Sequence, residues 1–282
     1  MSSSKRVLIP LVIGYVALMA VFTFTDYSIA QAIYRPGTAF AKVFETIGTI
    51  PMPIMGIFAC VSFWLLMDKG SIPKVILKTV LLAMAFMYFF FIGAFSIRDA
   101  MPGLFIPALA IYGAWTVASV FIARRWIAGD KREIFRKVVC VLLITCVVGV
   151  IGEDIIKSIF GRIRFYRLEE LGVAFQPWYV IQGAMPFGDR FNSSFPSGHA
   201  AKSIMPLALL VLPYLTDKLQ SKNARRLVVV CCVIFMLCTW IARMMDGMHY
   251  ASDVLTGSFI VVLTFLLAKG HFLDWRYHGP GA

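Results

Sequence analysis

The sequence predicts an all-α, polytopic membrane helix bundle with about eight transmembrane helices. Three observations predict it. The 282 residues are 60% hydrophobic and only 15% charged, with mean hydropathy +0.80, whereas a water-soluble domain carries about 25% charged residues. Apolar runs close to the ~20 residues that cross a bilayer recur along the chain. The alternating pattern of barrel strands is absent, and backbone groups in hydrocarbon must be satisfied within their own segment, so the runs are helices.

In order, the expected spans are 7–25, 53–68, 75–96, 103–122, 137–156, 199–215, 227–245 and 252–269. The first follows MSSSKR; it is too long for a signal-peptide core and lacks an A-x-A cleavage pattern, so it reads as a retained span. The runs at 53–68 and 199–215 are the weakest signals, the former being short and flanked by proline. Residues 26–52 read as an amphipathic stretch lying on the membrane interface. The long segment 157–198 holds Phe165, Tyr166, Phe175, Trp178, Tyr179, Phe187, Phe191 and Phe195 beside Arg162, Arg167 and Arg190, a mixture suited to the headgroup level. Repeats and low-complexity tracts are absent, so residues 1–282 form a single domain.

The net charge of +12 does not point to nucleic acid, because no basic helix or aromatic–basic module stands outside the spans. Lys and Arg instead gather in alternate loops. One set holds Lys5, Arg6, Lys69, Lys74, the Arg124–Lys137 cluster, Lys218, Lys222, Arg225, Arg226, Lys269 and Arg276. The other, the motif loop aside, holds only Arg35, Lys42 and Arg98. The richer set is expected in the cytoplasm. Both termini then lie inside, and the ends of spans five and seven face outward with the starts of six and eight. The six cysteines all sit in apolar runs without metal spacing and read as small buried hydrophobes.

Three stretches at that outer side carry chemistry. Lys157, Arg164 and Arg243 end spans, and an arginine fork or a lysine point charge suits the non-bridging oxygens of a phosphoryl group. Pro196-Ser197-Gly198-His199 opens span six. Proline suits the first helical turn, and the exposed amides of Ser197 and Gly198 are placed to complement the cations. His199 is placed to act as general acid. His249 and Asp253 are four residues apart, on one face if the segment is helical, where a carboxylate fixes the tautomer of its imidazole. Histidine can itself take a covalent role, and the residues alone leave open which histidine does so. Glu153 and Asp154, one turn before Lys157, are placed to pair with it. Carboxylates are not clustered as Mg²⁺ or Ca²⁺ would need, nor His and Cys as Zn²⁺ would, so neither metal nor cofactor is expected.

These motifs, within residues 157–253, resemble those of the type 2 phosphatidic acid phosphatase superfamily, K-x6-R-P, P-S-G-H and S-R-x5-H-x3-D. The resemblance implies that Lys157, Arg164 and Arg243 bind phosphate with Ser197 and Gly198. It implies that His249 attacks phosphorus, oriented by Asp253, to give a phosphohistidine, while His199 protonates the leaving group and no metal takes part. Phe165 stands where the family has proline, and Ala242 where it has serine. The family core has six spans, which implies that two are added before the first motif. The implied activity is hydrolysis of a lipid phosphate or diphosphate at the outer membrane face. Alternatives are a phosphotransferase passing the group to another lipid or a sugar, and a lipid-binding protein without turnover. The expected partners are a lipid phosphate substrate and membrane lipids, not nucleic acid.

Overall fold

The computed structural model describes residues 3–67, 70–183, 192–217 and 220–274. Every helix or turn of regular structure in them is helical. Seven stretches are long and apolar enough to cross a membrane: Arg6–Ile33, Ala39–Leu66, Ile72–Asp99, Phe105–Ile127, Arg132–Leu171, Lys222–Met245 and Ala251–Asp274. The chain is an integral membrane protein and a polytopic helix bundle. Lys69, Phe187, Asp189, Arg190, Phe191, Lys218, Arg276 and His278 lie outside the described residues.

Helix α1 (Ser3–Ile33) has 31 residues, ~46 Å at ~1.5 Å per residue, so it overshoots a hydrocarbon core of ~30 Å. Residues 26–33, expected on the interface, therefore continue α1, because no helix breaker occurs before Pro36-Gly37. The chain turns there, with Gly37 at φ 77°, into α2 (Ala39–Ile47). Thr38 caps α2 by accepting from the Ala41 amide at 3.2 Å. This short amphipathic helix, expected from sequence, packs on α9 (Lys222–Met245).

The core lies around α3 (Pro51–Leu66), whose Met52, Ile57, Ala59 and Cys60 are buried. It packs against α4 (Ile72–Ala100), α5 (Phe105–Ile127) and α6 (Arg132–Phe160). Helix α10 (Ala251–Lys269) lies between α6 and α1. Outward faces stay apolar, as on α1 with Ile13, Val16 and Phe24, which suits contact with lipid.

Residues 199–215 differ from expectation. They do not form a long α-helix but a six-residue α8 (Gly198–Ser203) followed by a 3₁₀ stretch, Met205–Tyr214. Pro206 and Pro213 lack the amide hydrogen that an α ladder needs. Seven long helices, rather than eight, are thus found among the described residues. The segment still runs from one end of the bundle to the other. Ser197 lies against Asp253, whereas the carbonyl of Leu215 accepts from Lys131 Nζ at 2.9 Å in the α5–α6 loop. That second end gathers the basic loops: Lys78, Arg136, Lys137 and His271 line one cavity there, and Arg225, Arg226 and Lys269 another. The three motifs lie at the opposite end.

Candidate active site

The first motif is shaped by how α6 stops. Gly161 takes the left-handed conformation (φ 54°) and its amide bonds to the Lys157 carbonyl at 3.2 Å, an end that glycine adopts without a Cβ clash. Lys157 is left in the last turn and pairs with Glu153, one of its two expected partners. Arg164 then leaves in extended backbone, φ −74° and ψ 151°. Its Nη2 donates to Ser193 Oγ at 3.2 Å and its Nη1 contacts Met248 Sδ at 3.0 Å. Phe165, in place of proline, packs its ring on Tyr34, Tyr27 and Tyr250 at centroid distances of 5.2, 5.8 and 6.2 Å. Aromatic contact with α1 thus holds the backbone that a proline ring would have stiffened.

In the second motif, proline precedes the helix rather than opening it. Ser197 is the N-cap: its Oγ accepts from the Ala200 amide at 3.3 Å. Its own amide donates to the Asp253 carbonyl at 2.9 Å. Of the two amides expected to face an anion, that of Ser197 is therefore committed, and Gly198 supplies the one in the first turn. Gly198 lies against Glu153, whose Oε1 would stand 2.7 Å from an added Cβ.

The third motif turns on Gly247. At φ 66° it reverses the chain after α9, and a Cβ there would stand 2.7 Å from the Tyr34 ring. Met248 N bonds back to the Arg243 carbonyl at 3.1 Å. His249 consequently precedes α10 instead of sharing a helical face with Asp253. Its Nδ1 is 2.7 Å from the Ser194 carbonyl and 3.9 Å from Asp253 Oδ2. A carbonyl only accepts, so Nδ1 carries hydrogen and the neutral ring has its lone pair at Nε2. Asp253 Oδ2 accepts instead from Ser194 Oγ at 2.5 Å and from the Tyr250 amide at 2.8 Å. The carboxylate holds Ser194, and Ser194 holds the imidazole.

Arg162 is not a headgroup contact. It is 1% exposed, bonded to Asp253 Oδ1 at 2.5 Å and to Asp26 Oδ2 at 3.1 Å, with its guanidinium 4.1 Å from the Tyr250 ring centre. Several expected headgroup aromatics also turn inward. Phe175 packs on Tyr250, and Trp178 Nε1 bonds to Thr23 Oγ1 of α1 at 3.0 Å, while Tyr179 stays exposed.

Arg243 is buried and pairs with Glu45 of α2 at 2.8 Å; Ala242 beside it is buried too. Among the described residues the Nε atoms of Arg162, Arg164 and Arg243 are buried with no acceptor, which a buried donor rarely tolerates. His199, half-buried, feels the charges of Arg243, Lys202, His249 and Lys157. Burial, then the charges of Arg164, Arg243 and Lys157, hold the His249 imidazole well below its ordinary pKa, so it is neutral at neutral pH. All eight expected residues thus gather at one end of the bundle.

Reading the sequence missed Asp26, Ser194, Ser252, Glu45 and Lys202. Asp26 carried a signal: an acid within an apolar membrane helix is a site residue by default. Among the described residues no three His, Cys, Asp or Glu side chains stand together as a metal site.

No curated protein and no solved structure matches the chain. The family model described as the PAP2 superfamily matches residues 136–276, half of the chain, which take in the motif-bearing end of α6 together with α8, α9 and α10. With its three motifs inside that match and its long apolar helices around them, the chain belongs to the PAP2 superfamily, a family of phosphatase-type membrane enzymes.

Proposed function

We propose that the protein hydrolyses a lipid phosphate or lipid diphosphate through a phosphohistidine, at the outer face of its membrane. The observation that carries this reading is the surroundings of His249. Three cations act on a neutral imidazole whose Nδ1 hydrogen is tied to a carbonyl, and two of those cations have buried donors with no acceptor. An anionic, multi-oxygen group fills those donors.

In the first step Nε2 of His249 forms a bond to phosphorus as the bond to the leaving oxygen breaks, and His199, protonated once the bound phosphate offsets the surrounding cations, gives that oxygen a proton. In the second, His199 takes a proton from water, the oxygen of that water bonds to phosphorus, and the N–P bond breaks to free phosphate. Lys157, Arg164, Arg243 and the Gly198 amide hold the non-bridging oxygens and the charge spread over them in both transition states. Asp253 and Ser194 keep the imidazole in one tautomer throughout. Neither step calls on a metal.

The outer placement is supported by the gathering of basic loops at the end away from the site. Six α-helical and ten 3₁₀ residues at ~1.5 and ~2.0 Å each make ~29 Å, close to the hydrocarbon thickness. Residues 198–214 thus supply an eighth crossing, and both termini fall in the cytoplasm.

The test is phosphate release by the purified protein in detergent from phosphatidic acid, phosphatidylglycerol phosphate, undecaprenyl diphosphate and lipid A. Release from at least one is expected, to persist in EDTA, and to fall by about 10³-fold or more in His249→Ala. Robust turnover by that variant would sink the mechanism. Labelled phosphate recovered on a lipid or sugar acceptor, with none free, would make the enzyme a phosphotransferase.

A further inference from the structure

One buried carboxylate from outside the family-matched residues 136–276 reaches the site. Asp26, on α1, is 1% exposed. Its Oδ1 accepts from the Ser252 amide at 2.9 Å and its Oδ2 from Ser252 Oγ and from Arg162 Nη2 at 3.1 Å. Arg162 shares its Nη1 between Asp253 at 2.5 Å and Ser252 Oγ at 2.9 Å. Asp26 thereby does two things. It binds an amide in the first turn of α10, which has no acceptor within its own helix, and so fixes the height of Asp253 one residue on. It also draws one side of the guanidinium away from Asp253.

The charge count gives this arrangement a consequence. Arg162 with Asp253 alone is a neutral pair. With Asp26 ionised beside Arg162, the buried trio is net negative by one, next to a histidine that becomes cationic as Nε2 bonds to phosphorus. Burying three charges is costly.

We propose that Asp26 is a positioning residue for the His249–Asp253 pair, acting through Arg162 and Ser252, so that α1 is part of the working site. The inference rests on the phosphohistidine reading above. As Nε2 bonds to phosphorus, Nδ1 keeps its hydrogen, and the negative trio stabilises the imidazolium until water cleaves the N–P bond.

The test uses the full-length protein and whichever lipid phosphate the wild type hydrolyses. Asp26→Asn keeps the shape and removes the charge; kcat should fall by about 10- to 100-fold with KM within about twofold. Asp26→Glu keeps the charge at the expense of fit and should recover most of kcat. A packing role predicts the reverse order, since asparagine fits better than glutamate. Wild-type kcat in folded Asp26→Asn, or asparagine outperforming glutamate, overturns the proposal. Should Asp26→Asn not fold, Ser252→Ala decides. It deletes one hydroxyl shared by Asp26 and Arg162 and should lower kcat several-fold at unchanged KM; wild-type kcat overturns the proposal. If the wild type releases no phosphate, or His249→Ala still does, the phosphohistidine reading fails and takes this one with it. If those controls hold and Asp26→Asn matches wild type, only the role of Asp26 fails.

Discussion

Two arginines near the site pair with carboxylates from the N-terminal half, and the two pairs differ in one physical respect. Arg162 and Asp26 are both 1% exposed. Arg243 is 2% exposed, but its partner Glu45 is 34% exposed. A dry pair on both sides has nowhere to go, since separating it strands a charge in low dielectric. Glu45 can move into solvent when another anion reaches Arg243, at little cost. On the proposed mechanism one pair is thus part of the frame, and the other is a placeholder over a phosphate-binding group.

The contrast breaks most sharply at Arg243 itself. On the proposed mechanism Arg243→Gln removes a buried cation that holds the transferring group, and kcat/KM should fall by about 10²- to 10³-fold. Assay of the variant beside Arg162→Gln separates the two kinds of pair. The Arg243 variant should melt near wild type, because Glu45 rehydrates. The Arg162 variant should lose several degrees, because Asp26 and Asp253 are left buried together without their shared cation.

A middle-sized effect concerns pH. Burial comes first, and then the charge of Arg164, in holding His249 neutral. Its folded pKa is depressed, so the imidazole stays unprotonated below the ordinary value of about 6.5. The acid limb of kcat/KM should therefore lie below that value. Arg164→Gln removes the largest charge acting on the ring and should move the limb upward. The linked stability has the same sign: the unfolded chain takes up the proton first as pH falls below about 6.5, so stability is lost toward acid and unaffected above. A limb that stays put in Arg164→Gln would mean that burial alone holds the ring.

How much of this could be read in the sequence follows from what each residue depends on. The helices were legible because bilayer length and apolarity are local properties. The three motifs were legible because Lys157 and Arg164, or Arg243, His249 and Asp253, lie within a few turns of one another. The breaking of residues 199–215 was signalled by Pro206 and Pro213 but masked by their apolarity. The tie of His249 to Ser194 rather than directly to Asp253 depends on where Gly247 ends α9, a matter of backbone geometry that spacing does not show. Asp26 reaches the site from 226 residues before Ser252, and Glu45 from a helix that precedes α3–α5 in sequence. Only packing brings them there.

The smallest expected effect is the one that separates placeholder from frame most directly. Glu45→Gln leaves the shape of α2 and its packing on α9 intact but frees Arg243 from a competing carboxylate. If Glu45 only occupies the guanidinium until substrate arrives, KM should fall about two- to fivefold while kcat holds, and stability should change by no more than ~1 kcal/mol, as for other partly exposed pairs. The gain should shrink at ionic strengths near 1 M, where the Debye length is ~3 Å and the exposed carboxylate is screened in the wild type as well. A KM that rises instead would show that Glu45 orients Arg243 for the phosphoryl group, which would place it with Asp26 in the frame.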